Sequence, residues 1–213
     1  MTALLSEQTR MRDRIAAVGK SIFDRGLTFG STGNISVRLS DGSILMTPSN
    51  ASLGALDPAR LSLVDAKGAH LGGDKPTKES FLHMCVYCQR PHSDAVVHLH
   101  STHSVAVSVM ADLDPEDLLP PLTAYYVMRV GRLPLIPYFA PGDVELARAV
   151  EARIGQSHAV LLANHGPIVA GRTLEEAQYA TEELEETARL FMLLKDYRIR
   201  PLTPEQAPAL RKG

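Results

Sequence analysis

Ala95-Val96-Val97-His98-Leu99-His100 reads as a buried β-strand that ends in two histidines. Successive side chains on a strand point to opposite faces, so His98 and His100 share one face. A third histidine, His165 in Asn164-His165-Gly166, stands at a turn between two apolar runs, residues 158–163 and 168–170. Two imidazoles on one strand face and a third from a distant segment supply the three protein ligands of an open catalytic metal site, with the fourth position left to substrate. Neutral imidazoles suit zinc, with other divalent transition metals such as manganese or cobalt as alternatives. A lone histidine is more often a hydrogen-bonded core residue, and the metal reading rests on the shared register. His103 is near enough to touch substrate or support the ligands. His70, His83, His92 and His158 lack a supporting pattern and read as structural or exposed.

Outward from this strand, residues 80–90 form a helix that carries Cys85 and Cys88. A redox Cys-x-x-Cys usually opens a helix beside a βαβ unit. Inside a helix, the pair reads as two small buried residues. Upstream, Met11, Ile15, Val18, Ile22 and Phe23 recur at helical spacing in a first helix over residues 6–25, with Gly26 as its stop. Residues 35–39 and 43–47 read as a hairpin around Asp41-Gly42, and residues 61–64 and 69–71 as a second hairpin. Downstream, residues 101–110 and 143–154 read as helices and residues 133–137 as a strand. Thr173 with Glu176 forms a capping box that opens the last helix, whose apolar face runs from Leu174 through Leu184 to Leu194. Pro201, Pro204 and Pro208 predict an irregular tail from about residue 200. Hairpins mixed with helices, and no linker or repeat, predict one α/β domain over residues 1–213, with a mostly antiparallel or mixed central sheet between helical layers.

Composition restricts the partners. The 213 residues suffice for one sizeable core, and 45% hydrophobic residues is ordinary for a globular protein. A net charge of −2 gives no electrostatic case for nucleic acid or an anionic membrane. No apolar run approaches the roughly 20 residues of a membrane span. The segment Met1 to Arg14 is polar, without a signal-peptide core, so a cytoplasmic protein is expected.

Two further features carry chemistry. Glu79 follows Pro76-Thr77-Lys78 at the start of a helix, where a carboxylate is favoured by the helix dipole whether or not it reacts. The donor-rich turns at Gly33-Asn34, Ser49-Asn50 and Thr77-Lys78 could form an anion-binding nest, although ordinary turns use the same residues.

Gly33-Asn34-Ile35-Ser36, Thr47-Pro48-Ser49, Pro76-Thr77-Lys78-Glu79, Val97-His98-Leu99-His100-Ser101 and Asn164-His165-Gly166, in this order, resemble the class II aldolase/adducin-like family. This family includes sugar-phosphate aldolases and 4-epimerases, and the resemblance covers nearly the whole chain. It implies a zinc site from His98, His100 and His165, with Glu79 as the acid/base that also ligates the metal when no substrate is bound. It implies phosphate held by Gly33, Asn34, Ser49, Asn50, Thr77 and Lys78. It further implies a homotetramer with the site between subunits, to which a neighbour contributes a tyrosine, Tyr126 or Tyr125. Family aldolases usually carry Ser-Ser-Glu where this chain has Thr77-Lys78-Glu79, and the epimerases place Asp at position 79. Asn50 replaces the usual Gly after Thr-Pro-Ser/Thr, and Asn tolerates the positive φ of such a turn. The stretches 26–34, 47–54 and 76–79 look most like the branch that decarboxylates a phosphorylated four-carbon sugar acid, a 3-oxo-tetronate 4-phosphate. That reaction gives dihydroxyacetone phosphate and carbon dioxide through a metal-stabilised enediolate. An aldolase that releases dihydroxyacetone phosphate and an aldehyde is the alternative, a 4-epimerase comes third, and a non-catalytic adducin-like interaction module is the reading from a different class.

Overall fold

In a computed structural model describing residues 2–140 and 142–210, the central strand lies in the middle of the molecule. The elements in chain order are α1 (Thr2–Asp24), β1 (Asn34–Arg38), β2 (Ile44–Met46), β3 (Ser62–Val64), β4 (His70–Gly72), α2 (Ser80–Gln89), β5 (Ala95–His98) and α3 (Thr102–Ser108). They continue with α4 (Ala124–Arg129), β6 (Leu135–Ile136), α5 (Val144–Ile154), β7 (Ala159–Leu162), β8 (Gly166–Gly171), α6 (Leu174–Leu194) and α7 (Gln206–Leu210). The strands form one sheet in the order β4-β3-β2-β1-β5-β8-β7-β6. β6 runs parallel to β7, and the other pairs are antiparallel.

Both faces of the sheet are covered. Ile44, Met46, Val64, Val96, Val160 and Ile168 pack beneath α2 and α5, against Leu82, Val86, Leu146, Val150 and Ile154. On the opposite face Ile35, Val37, Leu45 and Val97 meet Ile15, Val18 and Ile22 of α1. Ala159, Leu161 and Val169 meet Val107, Tyr126, Val127, Leu184 and Ala188 of α3, α4 and α6. Each fully buried Val, Leu, Ile or Met side chain among them contributes about 1.5–3 kcal/mol. The expected sheet between helical layers is therefore present, as a single mixed sheet.

Register places the histidines. Asn34 of β1 is paired with His98 of β5, and Ser36 with Val96, so these four share the face toward α2. His98 is paired on its other side with Ile168 of β8. The chain reverses into β8 through Asn164, whose φ of 57° is left-handed. Gly166 follows, where a Cβ would lie 2.1 Å from the Leu99 carbonyl oxygen. Glycine there lets β8 come close enough to set His165 beside the end of β5.

Three sequence expectations need correction. α4, short and flanked by prolines, is a helix where no element was expected. The tail after residue 200 is not wholly irregular, since α7 folds back so that Ala207 and Leu210 pack beside Tyr126 and Val127. Cys85 is buried as expected, but Cys88 is exposed; both thiols are free. His83, expected to be structural or exposed, is the former: it is fully buried and hydrogen-bonded at both ring nitrogens. Among the described residues, no helix is long and apolar enough to cross a membrane.

Candidate metal centre

His98 and His100 leave β5 on the same side, and His165 arrives from the β7–β8 turn. Their ring centroids are 4.5–5.0 Å apart. The Nε2 atoms of His98 and His100 are 3.2 Å apart. Glu79, immediately before α2, completes the group, with Oε1 3.0 Å from His165 Nε2 and Oε2 3.5 Å from His98 Nε2. One ligand atom from each of these four residues lies within 4.8 Å of all the others.

The donors fit a divalent ion. His98 Nδ1 is 2.8 Å from the carbonyl oxygen of Pro167, which can only accept, so Nδ1 carries a hydrogen and Nε2 is the nitrogen that would ligate an ion. Two nitrogens bound to one tetrahedral ion at about 2.0–2.1 Å lie about 3.3 Å apart. The His98–His100 spacing matches that value. Burial, followed by the charges of His98 and His165, pushes His100 down to about 4, which keeps it neutral and able to ligate. Burial alone would raise the Glu79 carboxyl. The charge of His98 and hydrogen bonds from His165, His98 and Asn34 outweigh burial and hold it well below the usual carboxylate range.

Glu79, His100 and His165 open onto a cleft of about 920 Å³. Gly33, Asn34, Ser49, Asn50, Thr77 and Lys78 all line this cleft, with Phe29 and Tyr138 exposed on its walls. Ser49 N donates to the Lys75 carbonyl and Thr77 N to the Thr47 carbonyl, so these two amides tie the turns to each other and are not free for an anion. Their hydroxyls, the Lys78 ammonium and the remaining amides are what the turns offer to phosphate. Asn50 has the expected positive φ, 61°. Gly33 is left-handed too, at 80°, and a Cβ there would press against the His98 carbonyl oxygen at 3.0 Å.

Three assignments look different in space. The Asn34 side chain donates from Nδ2 to Glu79 Oε2 at 2.7 Å and accepts from His83, so, at the edge of the cleft that it lines, it holds the carboxylate. His103 turns away from the cleft to Glu185 of α6, whose carboxylate also accepts from the backbone nitrogens of His103 and Ser104 and caps α3. Tyr126 is 1% exposed inside the core beside α4 and does not line the cleft. Its neighbour Tyr125 is 61% exposed. Sequence reasoning missed His83. Its signal was the spacing Glu79, His83, Tyr87, one helix face, opposite alternate residues of a strand.

Comparison with known proteins agrees with this geometry. Residues 13–192 match the family described as Class II Aldolase and Adducin N-terminal domain. The chain is 45% identical over 211 residues to 3-oxo-tetronate 4-phosphate decarboxylase of Escherichia coli strain K12, covering 99% of this chain and 100% of that protein. It is 34% identical over 172 residues to L-fuculose phosphate aldolase of Haemophilus influenzae, covering 79% and 76%. The crystal structure of YgbL from Escherichia coli superposes with a TM-score of 0.94 at 45% identity, over 96% of this chain and 99% of that one. A chain matched over 180 consecutive residues, with three imidazoles and a carboxylate converging as the family motifs implied, belongs to the class II aldolase and adducin N-terminal domain family.

Proposed function

We propose that this protein is a carboxy-lyase of carbohydrate metabolism that converts a 3-oxo-tetronate 4-phosphate to dihydroxyacetone phosphate and carbon dioxide. The observation that carries the reading is the convergence of His98, His100, His165 and Glu79 beside a cleft rimmed by donor-rich turns, in a chain 45% identical end to end to a decarboxylase of that name.

The chemistry follows from the parts. A divalent ion held by the three imidazoles would supply Lewis-acid charge beside the C3 ketone and C2 hydroxyl. When C1 leaves as carbon dioxide, its bonding pair remains on C2 and spreads onto the C3 oxygen. A proton must then be added at C2 to complete dihydroxyacetone phosphate. Glu79, facing the cleft with its side chain 25% exposed, is the carrier of that proton from water. With an ion on their Nε2 atoms, His98 and His165 would no longer donate to Glu79, which would leave its carboxylate free to take up a proton. Lys78, on the cleft wall, balances the negative charge of phosphate or carboxylate. Ser49 and Thr77 offer hydroxyls to the phosphate, with Gly33 and Asn50 shaping the turns around it.

The proposal takes the ion as zinc, supported by a donor set of three imidazoles and one carboxylate. It takes the assembly as a homotetramer with the site between subunits, supported by the exposed Tyr125, Met128 and Tyr179 on α4 and α6. It places the reaction in the cytoplasm, in keeping with two free thiols. The same centre could release an aldehyde instead, and the 34% identity to a fuculose phosphate aldolase favours that as the second reading. One assay separates them. D- and L-3-oxo-tetronate 4-phosphates and L-fuculose 1-phosphate are offered while carbon dioxide and dihydroxyacetone phosphate are followed together. One carbon dioxide per triose phosphate is expected; triose phosphate accompanied by an aldehyde would replace the decarboxylase with the aldolase.

A further inference from the structure

Behind Glu79 lies a chain of four hydrogen bonds that the reaction scheme above does not use. β1 presents Asn34, Ser36 and Arg38 on alternate positions, and Glu79, His83 and Tyr87 follow at four-residue spacing along α2. The two rows interleave. Asn34 Nδ2 meets Glu79 Oε2 at 2.7 Å. Asn34 Oδ1 meets His83 Nε2. His83 Nδ1 meets Ser36 Oγ at 2.7 Å, and Ser36 Oγ meets Tyr87 OH at 2.7 Å. The guanidinium of Arg38 lies over the Tyr87 ring, 5.1 Å from its centre, and closes the row. Asn34, Ser36, His83 and Tyr87 are all at least 95% buried, on a face otherwise built of Met46, Leu82, Val86 and Val96.

The direction of each bond is fixed by its neighbour. An ionised carboxylate only accepts, so the amide must turn its NH₂ to Glu79 and its oxygen to His83. His83 Nε2 then carries the hydrogen, and Nδ1 must accept from the Ser36 hydroxyl. The Ser36 oxygen in turn accepts from Tyr87. All four hydrogens therefore point one way, toward Glu79. If His83 took the other tautomer, the amide would rotate and set its oxygen against the carboxylate. A neutral His83 is required, and burial, with the charge of His98 adding to it, pushes this ring down to about 3.

We propose that His83 is a positioning residue that, oriented by Ser36 and Tyr87, locks the Asn34 amide so that it fixes the Glu79 carboxylate for proton delivery at C2. The role of Glu79 rests on the function proposed above, whereas the locking of the amide does not.

The test compares His83→Leu, His83→Gln, Ser36→Ala and Tyr87→Phe, each purified with its metal and assayed on the 3-oxo-tetronate 4-phosphate that the wild type turns over. Gln can still donate to Asn34 and accept from Ser36; Leu can do neither. His83→Leu is expected to lower kcat per bound metal ion at least tenfold with KM changed less than twofold, and His83→Gln to restore most of the loss. Ser36→Ala should lower kcat by a smaller factor and Tyr87→Phe by the smallest. A crystal structure of His83→Leu should show the Asn34 amide rotated off Glu79. A merely structural residue would lower folded yield and melting temperature in the Leu and Gln variants alike, leave kcat of the folded fraction intact and leave the amide in place; those results would overturn the proposal. If His83→Leu does not accumulate folded, Ser36→Ala carries the same kinetic and crystallographic comparison. If the wild type releases no carbon dioxide, the decarboxylase reading fails, and the position of the Asn34 amide in the variant still decides this inference.

Discussion

At the scale of single residues, Glu79 is tied to three partners, two imidazoles and one amide, and its chemistry depends on keeping them in order. Replacing Glu79 with Gln keeps its size and removes the proton carrier. The expected loss in kcat is about 10²–10⁴-fold, the usual contribution of general acid–base catalysis, with metal content preserved. Stopped-flow release of carbon dioxide alongside metal analysis checks it, and normal turnover would mean another group carries the proton. Lys78 is exposed at the cleft wall, so its charge is screened. Lys78→Ser should raise KM for the phosphorylated acid roughly three- to tenfold and leave kcat nearly unchanged, a range that corresponds to about 0.6–1.4 kcal/mol. An unchanged KM would remove Lys78 from substrate binding. His98 and His100 were legible as a pair in the sequence because strand alternation puts them on one side whatever the rest of the fold does. The bond from Asn34 to Glu79 was not, because a turn that ends in Asn looks the same whether its amide faces a ligand or a carboxylate of its own chain.

At the scale of elements, the match of β1 to α2 explains both what could be read and what could not. A strand repeats on one face every two residues and a helix every three to four, so residues 34, 36 and 38 can meet 79, 83 and 87 when the two run side by side. Each row is visible in the sequence, but their juxtaposition depends on the order β2-β1-β5, which no local pattern encodes. The buried His83 has a consequence for acid stability. Its folded value, about 3, lies below the ordinary 6.5, so between these values the unfolded chain binds a proton that the folded chain does not. Stability contributed by this group is complete above about pH 6.5 and falls as pH drops toward 3, by at most about 1.4 kcal/mol per pH unit. Chemical denaturation from pH 7 to 4.5 should therefore show the His83→Gln variant losing less stability than the wild type; equal slopes would mean that His83 takes up a proton without unfolding. α4 escaped the sequence reading because its six residues fall between prolines and glycine, too short for a helical period to register.

At the scale of the whole molecule, the sheet brings segments 34, 79, 98–100 and 165 to one cleft, while α4 and α6 hold Tyr125, Met128 and Tyr179 on an exposed surface elsewhere. The overall α/β layering was legible because hairpin signals and amphipathic helices are local. Which of the two adjacent tyrosines is exposed was not, since Tyr125 and Tyr126 differ only in which side of α4 they occupy. If a second copy lends a tyrosine to the cleft, Tyr125→Phe should lower kcat about tenfold, or about 1.4 kcal/mol, without changing the oligomer. Tyr126→Phe should act on stability instead. Steady-state kinetics with light scattering tests the pair, and a kinetic loss in Tyr126→Phe alone would reverse the assignment.

The convergence of His98, His100, His165 and Glu79 on one divalent ion is tested most directly by anomalous X-ray diffraction at the zinc edge from crystals of zinc-loaded protein. One strong peak per chain is expected, about 2.0–2.1 Å from Nε2 of each of the three histidines and in reach of Glu79. A map with no peak among these residues, or with its peak elsewhere on the chain, would contradict the account.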